Sequence, residues 1–290
     1  ILLALVTAFA FALRGWLGAE TFAADEYRPF TDDGPYHLMR VEALFSWDVD
    51  RAAPDPAISW PQGAKAHWPW GFDDLRVACA RIVGASDGAT AARAVAWVPP
   101  FFGALLVPLT YLLAAAWAGR RRALWVAAVV AVLPAHVGYT LLGRVDHHVL
   151  EPLFLVLALL GPGAVLSGRL SGRAAGAWAS ALSGLALGLA FAFYPAALPW
   201  AAMGMAVAGS PLAIRASGAA IAVAGAGFAG TVASLAASPW PDAWVFYSPS
   251  RMQVAVVGVA AIGLVATSVV RAANGSPRRS LLAGALATLA

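Results

Sequence analysis

Apolar residues run in long blocks separated by short polar stretches. The blocks cover residues 1–17, 95–117, 123–142, 149–167, 175–193, 196–214, 216–236, 252–270 and 281–290. A helix needs about 20 apolar residues to cross a bilayer, so every block except the last predicts a spanning helix. Gly and Ala recur inside the blocks. Such small residues let membrane helices approach closely, which predicts a packed bundle. Tyr194-Pro195 separates two of the blocks, and Pro suits a tight turn there. Arg14 interrupts the first block, which also has the length of a signal-peptide core.

Between the first two blocks lies a long polar segment, residues 18–94, rich in Trp, Pro and Asp. Within it, Asp33-Gly34-Pro35 has the character of a helix start, since Asp caps well and Pro tolerates the first turn. Leu38, Val41, Leu44 and Phe45 follow at helical spacing and predict a surface helix over 36–47. The organisation expected is therefore a first transmembrane helix at 1–17, a large first external loop at 18–94, and a helix bundle over 95–290. The chain starts without Met and both its ends fall inside apolar blocks, so a longer protein with a further C-terminal part is expected.

Composition narrows the class. The 290 residues are 61% hydrophobic and 12% charged, with mean hydropathy +0.73. A soluble domain is nearer 45–50% apolar and about 25% charged, so a water-soluble globule and a disordered chain are both excluded. The lone Cys79 allows no internal disulfide. A net charge of +4 does not imply nucleic acid, because the basic residues sit in short clusters between blocks.

Those clusters set the topology. Arg120, Arg121, Arg122, Arg169, Arg173, Arg215, Arg271, Arg278 and Arg279 fall in alternate loops. The positive-inside rule makes those loops cytoplasmic. All carboxylates and all five histidines then belong on or near the other side, and the chemistry with them.

Two constellations stand out. Gly143-Arg144-Val145-Asp146-His147-His148-Val149-Leu150-Glu151 sits in a short external loop. Asp146 and His148 are two residues apart, so their side chains point the same way in extended backbone. A carboxylate and an imidazole together suit a divalent cation. A polar interfacial turn is the alternative, but so many ionisable groups at a membrane boundary are costly unless used. The second constellation is Thr31-Asp32-Asp33-Gly34-Pro35-Tyr36-His37-Leu38-Met39-Arg40, which by itself reads equally as a capped helix with solvated charges. Trp60, Trp68 and Trp70 read as an interfacial aromatic belt, and Asp73-Asp74 as a helix cap or a solvated pair.

The run at 33–40 resembles the first acidic motif of the oligosaccharyltransferase catalytic subunit family, of the bacterial and archaeal single-subunit type. Gly143 to Glu151 resembles its second motif in the Asp-x-His form. Trp60-Pro61-Gln62-Gly63 with His67-Trp68-Pro69 resembles the family's first external loop, and Ser183 to Leu189 one of its later spans. The resemblance implies an all-α polytopic membrane protein of the C-type membrane glycosyltransferase class. It implies transfer of a glycan from a polyprenyl-(pyro)phosphate donor to asparagine of an acceptor protein. It places a divalent metal, Mn²⁺ or Mg²⁺, at Asp33, Asp146 and His148, with Asp33 also contacting the acceptor amide. Asp32 and His147 are neighbours of those positions rather than matches.

Arg144 is a candidate for a lipid phosphate, and Glu151 and His147 for orienting the ligands. The expected setting is a bacterial or archaeal cell membrane, with the site on the non-cytoplasmic side. Expected partners are the lipid-linked donor, the acceptor protein or peptide and membrane lipid, with no nucleic acid. The family's acidic fifth external loop and its sequon-reading domain are not found in this sequence, so residues 1–290 alone are expected to be inactive. A protein O-mannosyltransferase-like enzyme is the first alternative, through Asp25-Glu26, and the Asp-x-His motif opposes it. A transporter is the second, and the surface position of the ionisable groups opposes that.

Overall fold

The computed structural model describes residues 1–22, 33–46, 49–66, 68–194, 210–246, 248–273 and 276–289. Among these residues the chain is helical, with one isolated bridge between Asp55 and Ala64 and no strand. Five helical stretches are long and apolar enough to cross a membrane: Gly88–Ala118, His147–Leu166, Arg173–Ala192, Ser217–Ala236 and Arg251–Ala272. They correspond to five of the apolar blocks. The chain divides into two compact units. One comprises Ile1–Tyr111 with Arg121–Leu153, the other Leu112–Arg120 with Phe154–Ala290.

The first unit opens with α1 (Leu2–Leu17), an apolar helix of 16 residues. Three short helices of the large loop follow: α2 (Gly34–Ser46), α3 (Gly71–Ile82) and α4 (Gly88–Val95). The Asp87 side chain caps α4 in a reciprocal box with Thr90, which satisfies backbone donors that a helix start leaves open. Helix α5 (Val98–Ala118) comes next, then α6 (Arg120–Val132) and α7 (Pro134–Tyr139). Ala10 of α1, Ala104 and Val107 of α5, and Ala127 and Ala131 of α6 form one buried cluster.

Block 123–142 does not form one helix. Pro134 supplies no N–H and forces Leu133 out of the helical region, to ψ 115°. The break starts α7 and turns the chain toward the loop at 143–149. Helix α2 forms where expected, but its buried face differs. Gly34, His37, Arg40 and Val41 are inside, while Leu38, Leu44 and Phe45 are only partly covered.

The second unit holds most of α8 (Leu150–Leu166), then α9 (Arg173–Leu189), α10 (Ser210–Arg215), α11 (Ser217–Ala236), α12 (Arg251–Ala272) and α13 (Pro277–Leu289). Helices α9 and α11 run parallel in backbone contact. Gly184 faces Val223, and Gly188 faces Gly227 and Thr231; a Cβ on either glycine would strike the α11 backbone. The Ser234 hydroxyl donates to the Gly188 carbonyl at 3.0 Å. This is the close approach that the small residues predict. Ser183 inserts into the α8 ladder beside Pro162, donating to Leu157 O (2.7 Å) and accepting from Gly161 N–H (2.9 Å). The block at 196–214 lies outside the described residues up to 209.

Candidate functional site

The loop between α7 and α8 is built by its glycine. Gly143 has φ +81°, a conformation that strains any residue with a Cβ. A Cβ there would also run into the Thr21 side chain. The Thr21 hydroxyl donates to Leu142 O at 3.0 Å, and Gly143 N–H donates to Ala96 O at 3.2 Å. The chain leaves this anchor through two tight turns, Val145 N–H donating to Gly143 O at 3.1 Å and Asp146 N–H to Arg144 O at 2.9 Å. Asp146 (φ −133°, ψ 142°) caps the 3-10 turn His147–Val149, which runs straight into α8.

That turn gathers the chemistry. Asp146 and His147 are buried and His148 is partly so. Potential ligand atoms of Asp146, His147 and His148 all lie within 4.8 Å of one another. Two oxygen ligands about 2.0–2.6 Å from a common ion are at most about 5 Å apart, so the spacing fits one cation. Carboxylate with imidazole suits Mn²⁺, Fe²⁺ or Zn²⁺ better than Mg²⁺. His147 Nδ1 stands 3.1 Å from Asp146 Oδ1, and His148 Nδ1 stands 3.4 Å from Glu151 Oε2. Such carboxylate contacts orient histidine ligands. Burial alone would raise the Asp146 pKa. The His147 hydrogen bond and the charges of both histidines outweigh it and hold the carboxyl well below its usual range.

The expected residues separate as follows. Asp146 and His148 come together, and Glu151 contacts His148. His147, read from sequence as a neighbour, contributes a third potential ligand atom. Asp33 precedes α2 and lies close enough for its charge to act on His148, but it is not in the tight cluster. Arg144 lies over the Tyr139 ring at 4.3 Å and donates from Nη1 to Gly138 O at 3.2 Å. Its buried Nε has no hydrogen-bond partner among the described residues. Asp32, the Asp25-Glu26 pair and His67 lie outside the described residues.

A second buried constellation escaped the sequence reading. Asp73 is neither a cap nor solvated: it is fully buried between α2 and α3. Its carboxylate meets His37 Nδ1 at 3.0 Å and Arg40 Nε at 2.9 Å, and it pairs with Arg76. Burial pushes its pKa up, but the charges of His37, Arg76 and Arg40 outweigh that and keep it ionised well below the usual carboxylate range. Burial lowers the His37 pKa, against the opposing pull of the Asp73 carboxylate. The His37 ring lies 5.8 Å from that of His147, centroid to centroid. The network thus ties α2, which begins just after Asp33, to α3 beside the His cluster.

Trp70 belongs to the same core rather than to a membrane belt, with the Arg40 guanidinium 3.7 Å above its ring. Trp68 packs on Tyr36 at 5.0 Å, and only Trp60 of the three is exposed. The signal was present in sequence as His37/Arg40 and Asp73/Arg76, each three residues apart on a helix.

A family model described as oligosaccharyl transferase STT3, N-terminal, matches residues 3–195. The dolichyl-monophosphooligosaccharide--protein glycotransferase AglB of Haloferax volcanii is 31% identical over 134 residues, which are 44% of this chain and 13% of that protein. The crystal structure of the Archaeoglobus fulgidus oligosaccharyltransferase with Zn and sulfate has TM-score 0.79 at 20% identity, covering 100% of this chain and 39% of that one. AglB from the same organism, solved with an inhibitory peptide and a dolichol-phosphate, has TM-score 0.77 at 20% identity, covering 99% and 36%. These likenesses establish the fold as that of an archaeal oligosaccharyltransferase membrane domain. The chain spans less than two fifths of the length of those two solved chains. With more than half of its residues inside the family match, both acidic motifs among them, the chain belongs to the oligosaccharyl transferase STT3 N-terminal family.

Proposed function

We propose that this chain forms part of the catalytic site of a membrane glycosyltransferase. The donor is a glycan on a polyprenyl-(pyro)phosphate, the acceptor is an asparagine of a protein, and the site lies on the non-cytoplasmic side. The observation that carries the reading is the Asp146–His147–His148 cluster, in a chain whose fold is shared by structures solved with Zn and with a dolichol-phosphate. Asp33, Asp146 and His148 would hold a divalent cation. When bound, such an ion supplies Lewis-acid stabilisation of charge developing on the leaving phosphate.

The chain's own groups do the rest. Asp146 offers an ionised, buried carboxylate. Glu151 orients the His148 ring. Asp33 accepts a hydrogen bond from the acceptor carboxamide N–H, which draws electron density back to a weak nucleophile. The Arg144 Nε, which has no hydrogen-bond partner among the described residues, would donate to a phosphate oxygen. Asp146 and His148 stand at the start of an apolar helical stretch long enough to cross a membrane, which suits a phosphate carried on a lipid.

The test is glycan transfer by the full-length chain, using lipid-linked glycan and an Asn-x-Thr peptide. Transfer is expected to stop with chelator, to return with Mn²⁺, and to fail in Asp33→Ala, Asp146→Ala and His148→Ala. Undiminished transfer by Asp146→Ala, or in chelator, would overturn the reading.

A further inference from the structure

We infer that Arg14 is a positioning residue for the candidate metal loop, holding from within α1 the segment that sets where Asp146 stands. The inference rests on the metal reading above for its consequence, though not for its geometry.

Arg14 is the one charged residue of α1 and is completely buried. A cation inside an apolar helix is costly and calls for a function with a named partner. Two bland roles fail. A topology anchor would snorkel to the membrane surface, but the Arg14 Nη1 turns back along α1 to donate to Ala10 O at 2.7 Å. A buried ion pair would need a carboxylate, and none reaches it among the described residues.

The guanidinium spends its hydrogen bonds on neighbouring chain instead. Nη1 also donates to Ala131 O near the end of α6 (3.1 Å), and Nε donates to the Thr140 hydroxyl (2.7 Å). Thr140 passes the restraint on, donating to His136 O at 2.7 Å. The arginine therefore clamps both sides of the Pro134 break, the point at which α6 gives way to α7.

The same end of α1 continues the hold by backbone. Leu142 N–H donates to Arg14 O at 3.2 Å, and Leu142 O receives the Thr21 hydroxyl. Gly103 of α5 leaves room for the clamp. A Cβ there would come within 2.7 Å of both Arg14 Nε and Thr140 Oγ1. From Thr140 to Asp146 the chain has six steps, with Leu142 and Val145 buried along the way. A segment this short and this tethered transmits its anchor's position to the ligands.

The experiment places a cysteine at Val145, which is fully buried, in the full-length chain. Maleimide modification of that site is read by peptide mass spectrometry, and Mn²⁺ affinity is measured on the same preparations. Arg14→Met removes the clamp, and Thr140→Val removes its receiving hydroxyl while keeping the arginine. Thr140→Ser keeps the hydroxyl, and Val107→Ala weakens the α1–α5–α6 cluster without touching the loop.

Arg14→Met and Thr140→Val are expected to speed modification at 145 at least about tenfold, through local opening. They should also weaken Mn²⁺ binding about 10–100-fold, the scale for groups that orient metal ligands. Thr140→Ser and Val107→Ala should match the parent in both readouts. Parent-like protection and affinity in Arg14→Met and Thr140→Val would overturn the inference, as would equal exposure in Val107→Ala. If the parent binds no Mn²⁺ while both clamp variants expose position 145, the positioning stands and the metal reading falls.

Discussion

Replacing Asp73 by Asn removes the single carboxylate shared by His37, Arg40 and Arg76, all four side chains being 0–2% exposed. The amide keeps the shape but cannot neutralise two guanidinium groups. Removing one partner of a buried ion pair costs about 3–5 kcal/mol, mostly because the charge left behind is uncompensated. The adjacent Asp74 supplies an internal control. It forms a two-bond pair with Arg51 at 2.7 and 2.8 Å, but those side chains are 42% and 38% exposed. Pairs of that kind contribute about 0–1 kcal/mol.

Two neighbouring acids of α3 should therefore differ by at least about 2 kcal/mol under the same substitution. At roughly 2–4 °C per kcal/mol, Asp73→Asn should lower the melting temperature in detergent by about 6–20 °C. Asp74→Asn should shift it by no more than about 4 °C. The pH dependence has a definite sign. The Asp73 carboxyl is depressed on folding, so its stabilisation is full above the unfolded-state pKa of about 3.9 and is lost as pH falls through the folded value. The difference between wild type and Asp73→Asn should be flat from pH 8 to 5 and shrink below about pH 4. Equal melting of the two variants at pH 7 would refute the buried network.

Gly188→Val should destabilise by at least about 1–3 kcal/mol, because its Cβ has no room against α11. Gly225→Ala on α11 meets nothing and should stabilise by about 0.5–1 kcal/mol; chemical denaturation distinguishes them. Single cysteines at 120 and 171 should resist impermeant reagents in intact cells, while cysteines near 146 and 245 react with them there; labelling of 120 in intact cells reverses the topology. Residues 1–290 alone should insert in a membrane but transfer no glycan, since substrate positioning by further elements can account for about 7–11 kcal/mol of barrier lowering. Robust transfer by that fragment would show the site to be complete within it.

The spans were readable because a membrane helix needs an unbroken apolar stretch, and five blocks satisfied that by length alone. The same criterion misreads block 123–142, where one proline outweighs the apolar run before it by removing an N–H and restricting Leu133. The start signal places helix α2, and of its apolar positions Leu38, Val41, Leu44 and Phe45 only Val41 is buried. The structure instead buries His37 and Arg40, because a fully desolvated Asp73 on another helix needs them. Pairing across 36 residues leaves no periodic trace in a single sequence. His147 was similarly undervalued. The expectation of extended backbone sends its side chain away from Asp146, whereas the 3-10 turn brings it back.

The central claim is that the loop after α7 holds one divalent cation through Asp146 and His148, with Asp33 completing the set. Electron paramagnetic resonance titration of Mn²⁺ into the metal-stripped full-length chain measures this directly. One bound ion per chain is predicted, with affinity falling at least about 10–100-fold in Asp146→Ala and in His148→Ala. Failure of the wild-type chain to bind Mn²⁺, or unchanged affinity in both variants, would contradict the account.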